Sequence, residues 1–191
     1  MALEKYRSKR NFNITKEPRG EKGEKREELR FVIQQHHASR MHYDFRLEMD
    51  GVLKSWAVPK GPCLDPDQKR LAVQVEDHPV GYIDFEGSIP KGQYGAGNVI
   101  VWDIGVWEAE GDPEYGLKKG HLSFSLKGKK LKGAWNLVRM NKPEKSGPVN
   151  WLLIKQDDKY ARSLKDDILV KKPKSVLSQR TIAQMDEKRA K

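Results

Sequence analysis

From Leu29 onward, apolar and polar residues alternate in short runs. Tyr43, Phe45, Leu47 and Met49 alternate with His42, Asp44, Arg46 and Glu48, and successive side chains of a strand point to opposite faces. Leu71, Val73 and Val75 alternate with Ala72, Gln74, Glu76 and His78, while Leu122, Phe124 and Leu126, and then Leu131, Trp135 and Leu137, read as inward rows. The pattern predicts strands over roughly 30–36, 42–49, 52–58, 70–77, 81–86, 98–103, 105–109, 121–127, 131–138 and 150–156. Asp50-Gly51 between two alternating runs marks a hairpin, and Asp103-Ile104-Gly105 and Lys127-Gly128-Lys129 read as further tight turns. Many short strands with glycine turns predict an all-β fold, a compact barrel rather than a sandwich because closure removes exposed edges.

The ends of the chain break this pattern. Residues 1–29 are dense in charge and read as an extended segment that Phe12 and Ile14 could anchor. Thr181-Ile182-Ala183-Gln184 resembles a capping box and predicts a short helix to about Lys188, behind a linker marked by Pro173. The chain thus divides into a charged segment (1–29), a barrel domain (30–170) and a basic tail (171–191).

Composition narrows the class. Hydrophobic residues make up 37% and charged residues 34%, yet five Trp, six Tyr and five Phe argue against general disorder. No run approaches the ~18 apolar residues of a membrane helix, and the N-terminus lacks an apolar signal core. Cys63 is the single cysteine, so an internal disulfide and a thiolate-rich zinc site are excluded. A reducing, cytoplasmic setting is expected. The net charge is +10, with +4 in residues 1–30, +5 in residues 171–191 and only +1 between them. Basic tails are commonly only solubilising; attraction to a phosphate backbone is the functional reading.

Candidate chemistry concentrates near the start of the barrel. His36, His42, Asp44 and Arg46 fall within eleven residues, and four of five histidines lie between positions 36 and 78. A lone histidine on a strand is usually structural. His42, Asp44 and Arg46 in a row on one strand face, with a second imidazole in the same short stretch, could instead hold a divalent ion beside a phosphate. Glu76 and His78 are expected to share a second strand face. The run Lys91-Gly92-Gln93-Tyr94-Gly95-Ala96-Gly97 is no Walker loop, since no Gly-Lys-Ser/Thr opens a helix. It reads as a flexible turn, or as a loop admitting a nucleotide close to its backbone.

The runs Phe31-Val32-Ile33-Gln34-Gln35-His36, Ala38-Ser39-Arg40, His42-Tyr43-Asp44-Phe45-Arg46-Leu47-Glu48 and Asp50-Gly51-Val52-Leu53 closely resemble the 3′-phosphoesterase family. So do Ser55-Trp56-Ala57-Val58-Pro59-Lys60-Gly61-Pro62, Arg70-Leu71-Ala72-Val73, Val75-Glu76-Asp77-His78-Pro79, Asp84-Phe85-Glu86-Gly87, Ile89-Pro90-Lys91-Gly92 and Tyr94-Gly95-Ala96-Gly97. This family is known as the end-healing module of bacterial DNA ligase D and as stand-alone proteins; the match covers roughly positions 7–160, and the stand-alone form is expected here. The resemblance implies a β-barrel with a surface active-site groove. It implies a divalent metal, most typically manganese with zinc or cobalt as alternatives, held by His36, His42 and Asp44. It implies a phosphate pocket that includes Arg46, with Lys60, Arg70, His78 and Tyr82 lining the site. Lys9-Arg10-Asn11-Phe12 and Thr15-Lys16-Glu17-Pro18 match its N-terminal motif, which adds Arg10 and Glu17; Asn11 stands where the family has Asp.

The expected function is metal-dependent healing of 3′ ends in break repair, by removal of a 3′-terminal ribonucleoside and hydrolysis of the 3′-phosphate. Expected partners are DNA or DNA–RNA primer-template ends and a separate ligase and polymerase of end joining, with no membrane. His78 is the candidate general acid, because an ordinary imidazole titrates near neutrality. Glu76 or Glu17 could orient an imidazole, and Tyr82 is a further catalytic candidate. An enzyme with one of the two activities, or a non-catalytic nucleic-acid-binding barrel, are the competing readings; simple strand binding calls for basic grooves and stacking aromatics rather than metal ligands.

Overall fold

The computed structural model describes residues 3–24, 26–140 and 147–189. The strands are β1 (Arg30–His37), β2 (Met41–Met49), β3 (Val52–Val58), β4 (Lys69–Gln74), β5 (His78–Pro79), β6 (Gly87–Ile89), β7 (Gly97–Ala109), β8 (His121–Gly128), β9 (Lys132–Arg139) and β10 (Asn150–Lys155). Short helices are α1 (Glu4–Ser8), α2 (Pro113–Lys119), α3 (Ile168–Lys171) and α4 (Ile182–Arg189). Eight strands pair antiparallel in the order β1-β2-β3-β4-β10-β9-β8-β7, and β7 pairs with β1 to close the ring. The all-β barrel expected from the pattern is the fold. β5 adds to β3 and β6 to β7. No helix among the described residues is long and apolar enough to cross a membrane.

The alternation explains the packing. Phe31 and Ile33 of β1, with Tyr43, Phe45, Leu47 and Met49 of β2, point inward to a core that contains all five tryptophans. Asp50 and Gly51 turn β2 into β3 with φ of 51° and 71°, the left-handed pair that a two-residue hairpin needs. Because neighbours alternate in direction around the ring, the β1–β2 turn, the β3–β4 connection, the β8–β9 turn and the start of β7 all lie at one end.

Several sequence expectations are corrected. Residues 98–103 and 105–109 are one strand, not two strands and a turn. The β1–β7 register shifts between Ile33 and Gln34, a bulge that leaves Trp102 and Asp103 both buried. Asp103 accepts hydrogen bonds from Lys130 N at 2.9 Å and Leu131 N at 2.8 Å. Gly105 is required by proximity: a Cβ there would lie 2.3 Å from the Lys127 carbonyl oxygen. The strand expected at 81–86 is a 3₁₀ turn at Val80–Tyr82 and a loop. On β4 the core residue is Ala72, while Leu71 is exposed. The strand stops at Gln74, so Glu76 and His78 do not share it. α2 was readable from its ends, with Asp112 accepting from the amides of Glu114 and Tyr115 and Gly120 in the left-handed region.

The described parts of the two terminal segments form layers on the barrel. The N-terminal segment is anchored by Tyr6, which is fully buried, whereas Ile14 is exposed. Tyr6 packs with Val32, Leu53, Tyr82, Ile83 and Val101 in a second apolar cluster. The Thr181–Gln184 capping box forms both reciprocal bonds, at 3.0 and 3.4 Å. α4 sits on β1 and β7, where Asp186 pairs with His37 Nδ1 at 2.6 Å and accepts from Asn98 at 2.6 Å.

Candidate active site

The β1–β2 ladder places His36 directly opposite His42 and Gln34 opposite Asp44. These side chains, with Arg46, occupy the outer face of the barrel. On β3, Ala57 stands opposite Asp44 and Ser55 opposite Arg46; both are small and leave room above the strand. A cleft of about 290 Å³ opens there. Its lining includes His36, His42, Asp44, Arg46, His78 and Arg10.

His36, His42 and Asp44 each offer a ligand atom, all within 4.8 Å of one another. His36 Nδ1 is 3.4 Å from Asp44 Oδ2, and His42 Nε2 is 3.6 Å from Asp44 Oδ1. The other nitrogen of each ring is held by a backbone carbonyl: His36 Nε2 by Gly95 at 2.9 Å and His42 Nδ1 by Arg40 at 3.0 Å. A carbonyl only accepts, so those nitrogens carry the proton. In the neutral tautomer these contacts select, His36 Nδ1 and His42 Nε2 present lone pairs toward the carboxylate, the donor arrangement a metal ligand set needs. Burial opposes the Asp44 charge, but Arg46 and then the two histidines hold its pKa well below the usual carboxylate range.

Arg46 is nearly inaccessible. Its Nε donates to Gln34 Oε1 at 2.9 Å and its Nη2 to Asp44 Oδ2 at 3.1 Å. Gln34 is in turn fixed by donating to the carbonyls of Tyr82 and Phe85. Arg46 Nη1 is buried with no hydrogen-bond partner among the described residues. An orphaned guanidinium donor is costly unless an oxygen comes to it, and an oxyanion beside the three ligands would satisfy it.

The opposite wall is built on the N-terminal segment. Arg10 lies 3.9 Å above the Tyr6 ring and donates through Nε to Glu17 at 2.8 Å. Its Nη2 is 3.3 Å from His78 Nε2. Arginine only donates, so His78 Nε2 accepts and its Nδ1–H donates to the Glu76 carbonyl at 2.9 Å. The ring is therefore neutral at rest. Burial, then Arg46 and Arg10, push its pKa well below 6.5, against weaker opposition from Asp44 and the Glu76 carbonyl.

Each remaining expected residue has a clear position. The Glu76 carboxylate lines the cleft but holds Lys9 at 2.9 Å and Arg10 at 3.4 Å, while its carbonyl orients His78. Its pKa is lowered, burial being outweighed by the Lys9 contact. Glu17 lies behind the lining and accepts from Arg10, Thr15 and the Tyr82 hydroxyl. Tyr82 presents its ring to the cleft, with its hydroxyl committed to Glu17 at 3.0 Å; burial and then Glu17 raise its pKa well above 10. Lys60 is exposed in the turn after β3, and Arg70 lies on β4 with a buried Nε lacking a partner. Neither lines this cleft. Asn11 is exposed and accepts from the Asn13 amide at 3.1 Å, a local turn contact that an aspartate could make equally.

Three contributors escaped the sequence reading. Gln34 aims Arg46. Lys9 joins Glu76 to the Tyr94 hydroxyl at 3.2 Å. Gly95 supplies the carbonyl that sets the His36 tautomer. The glycine-rich loop was the available signal for the last, and φ of 72° at Gly95 explains its glycine.

A family profile described as the DNA ligase D 3′-phosphoesterase domain matches residues 34–139. The chain is 60% identical over 183 residues to the multifunctional non-homologous end joining protein LigD of Pseudomonas aeruginosa, covering 94% of this chain and 22% of that protein. It is 42% identical over 170 residues to the protein of the same name from Mycolicibacterium smegmatis, covering 84% and 21%. The multifunctional non-homologous end joining DNA repair protein LigD of Mycobacterium tuberculosis is 50% identical over 114 residues, covering 58% and 14%. The chain therefore spans between 14% and 22% of the length of these curated relatives.

Proposed function

Because this chain belongs to the DNA ligase D 3′-phosphoesterase family, we propose that its cleft heals nucleic-acid 3′ ends during DNA break repair. It removes a 3′-terminal ribonucleoside and then hydrolyses the remaining 3′-phosphate to a 3′-hydroxyl. The observation that carries this reading is the grouping of ligand atoms from His36, His42 and the Asp44 carboxylate within 4.8 Å of one another, beside the orphaned Arg46 Nη1.

The donor set suits manganese, with zinc or cobalt as alternatives, and two nitrogens plus a carboxylate leave positions open for substrate. A divalent ion held there supplies Lewis acidity toward a phosphoryl oxygen. Arg46 takes a second phosphoryl oxygen through Nη1, kept in line by Gln34 and Asp44. Arg10 provides positive charge from the facing wall, held by Glu17 and Glu76. A phosphate dianion between Arg46 and Arg10 offsets the two charges that, together with burial, keep His78 neutral. Arg10 turns its Nη2 from His78 to the phosphate, and the ring takes up a proton from solvent at Nε2; as a water oxygen bonds to phosphorus and the P–O3′ bond breaks, the ring gives that proton to the departing 3′ oxygen. Glu76, Glu17 and Tyr82 act by positioning Arg10 and His78. Lys60 and Arg70 serve the substrate beyond the scissile group. The nucleic-acid partners are primer-template 3′ ends, with a separate ligase and polymerase completing the repair.

The test is a labelled primer-template ending in one ribonucleotide, followed over time with and without manganese. Successive appearance of the 3′-phosphate and 3′-hydroxyl products, only with metal, is the expected result. Tight binding without any product would favour a non-catalytic barrel.

A further inference from the structure

We propose that a basic groove between the β8–β9 turn and residues 160–172 binds the sugar–phosphate backbone of the nucleic acid whose 3′ end enters the cleft. The inference rests on the 3′-end reading above and adds a second contact surface to it.

Residues 31–170 are close to neutral overall, yet residues 127–132 contain four lysines and no acid. The fold joins them to a second basic stretch. A hollow of about 170 Å³ is lined by Lys130, Lys132, Arg162, Lys171 and Lys172, with Asp166 as its one acid. An adjoining hollow shares Lys132 and Tyr160 with it and adds Lys127. The two form one groove.

Most of this charge is not neutralised within the protein. Lys171 pairs with Asp166 and Lys127 with Glu108, each at 2.5 Å. Among the described residues, Lys130, Lys132, Arg162 and Lys172 have no carboxylate within ion-pair distance. Asp166, in the lining, is taken up by Lys171, and two other nearby acids are committed elsewhere: Asp158 pairs with buried Lys155 at 2.7 Å, and Asp103 caps the β8–β9 turn. Two of the free cations are held by backbone carbonyls instead. Lys130 Nζ donates to Lys172 and Lys174, at 2.8 and 2.6 Å, and sits 4.3 Å over the Trp102 ring. Arg162 Nη1 donates to Lys159 and Ala161. Carbonyls fix the cations without cancelling their charge. Burial pushes Lys130 down to about 8, opposed by Asp103 and reinforced by Lys172; a bound anion would relieve that repulsion.

Position selects the partner. The β8–β9 turn and the β1–β2 turn beside His36 lie at the same end of the barrel. The segment from Lys172 to α4 runs between them, with Val176 N bonded to the Val101 carbonyl and Asp186 bonded to His37. A strand entering the cleft can therefore continue over this end to the groove. Pre-set cations with one partly buried tyrosine suit phosphates rather than base readout.

The test compares wild type with a triple variant, Lys132→Gln, Arg162→Gln and Lys172→Gln. Lys118→Gln/Lys119→Gln on α2, at the other end of the barrel, controls for net charge. Binding of a 3′-phosphorylated duplex of about 20 base pairs is measured from low to moderate salt, where each lost phosphate contact flattens the slope of log K against log salt by about 0.9. The triple variant is expected to bind about tenfold more weakly, with the slope reduced by roughly two to three. Its thermal midpoint and its turnover of a 3′-phosphorylated dinucleotide, too short to reach the groove, should match wild type. An unchanged duplex affinity and slope would overturn the proposal. So would an equal loss per charge in the control, or equally tight binding of polyglutamate by wild type. If wild type binds through the groove but leaves every 3′-phosphate intact, the groove stands and the 3′-end reading falls.

Discussion

His36 and His42 face each other across the β1–β2 ladder with ring centroids 4.7 Å apart, and each is locked by a carbonyl from a different loop. The candidate ligand set is thus organised ahead of any ion. His42→Ala should abolish stoichiometric binding of manganese and lower turnover by at least about 100-fold, in line with the sensitivity of such sites to their ligands. Calorimetric titration with the metal and a product assay read the two effects separately. A variant that keeps both full metal and full activity would remove His42 from the ligand set.

Arg46 has one unpartnered nitrogen and two committed ones, so charge and geometry can be separated. Arg46→Ala should reduce kcat/KM by about 10²–10³, the range for losing a preorganised oxyanion donor. Arg46→Lys should recover only part, because an ammonium cannot reach Gln34, Asp44 and the phosphate at once. Equal kcat/KM for the lysine variant and wild type would show that a point charge is enough.

Tyr82 is the discriminating case between a proton donor and a wall. With its hydroxyl given to buried Glu17, Tyr82→Phe should cost about 1 kcal/mol of stability. Turnover should stay within a few-fold of wild type, with an unshifted pH profile. A loss of kcat beyond about 100-fold, the scale of general acid catalysis, would make the hydroxyl a participant.

The His78 ring gives stability a definite pH dependence. Its folded pKa is depressed by burial, Arg46 and Arg10, so below about 6.5 the unfolded chain binds the proton that the folded protein resists. The contribution is fully present above that value and is lost as pH falls toward the folded pKa. Urea midpoints of wild type should drop between neutral pH and about pH 5, and His78→Asn should flatten that limb. Parallel limbs would mean that the ring titrates normally in the fold.

The barrel was legible because its signals are local. Alternation in β2 and the Asp50-Gly51 hairpin follow from neighbours along the chain, and so does the row His42, Asp44, Arg46. What failed depended on distant partners. Asp103-Ile104-Gly105 has turn composition, but there Asp103 caps the β8–β9 turn and Gly105 lets β8 approach. Tyr82, Ile83 and Phe85 are apolar because they pack under the N-terminal segment, not because they alternate in a sheet. The role of Gln34 could not be read, since its partner Arg46 gains meaning only across the ladder. Glu76 and His78 were paired for the wrong reason: they reach the cleft from the loop after β4 and from β5.

The N-terminal layer divides the cleft by origin. Every candidate ion ligand comes from one β-hairpin, while Arg10, Lys9 and the Glu17 brace come from a strip joined to that barrel by residues 18–29. A protease cut within that connection would leave the hairpin and its candidate ligands intact while freeing the wall that carries Arg10 to leave. On the proposed mechanism, nicked molecules would then count as metal-loaded but inert. The number of competent molecules in a preparation would then be given by titration with a tight phosphate-containing inhibitor and not by metal content.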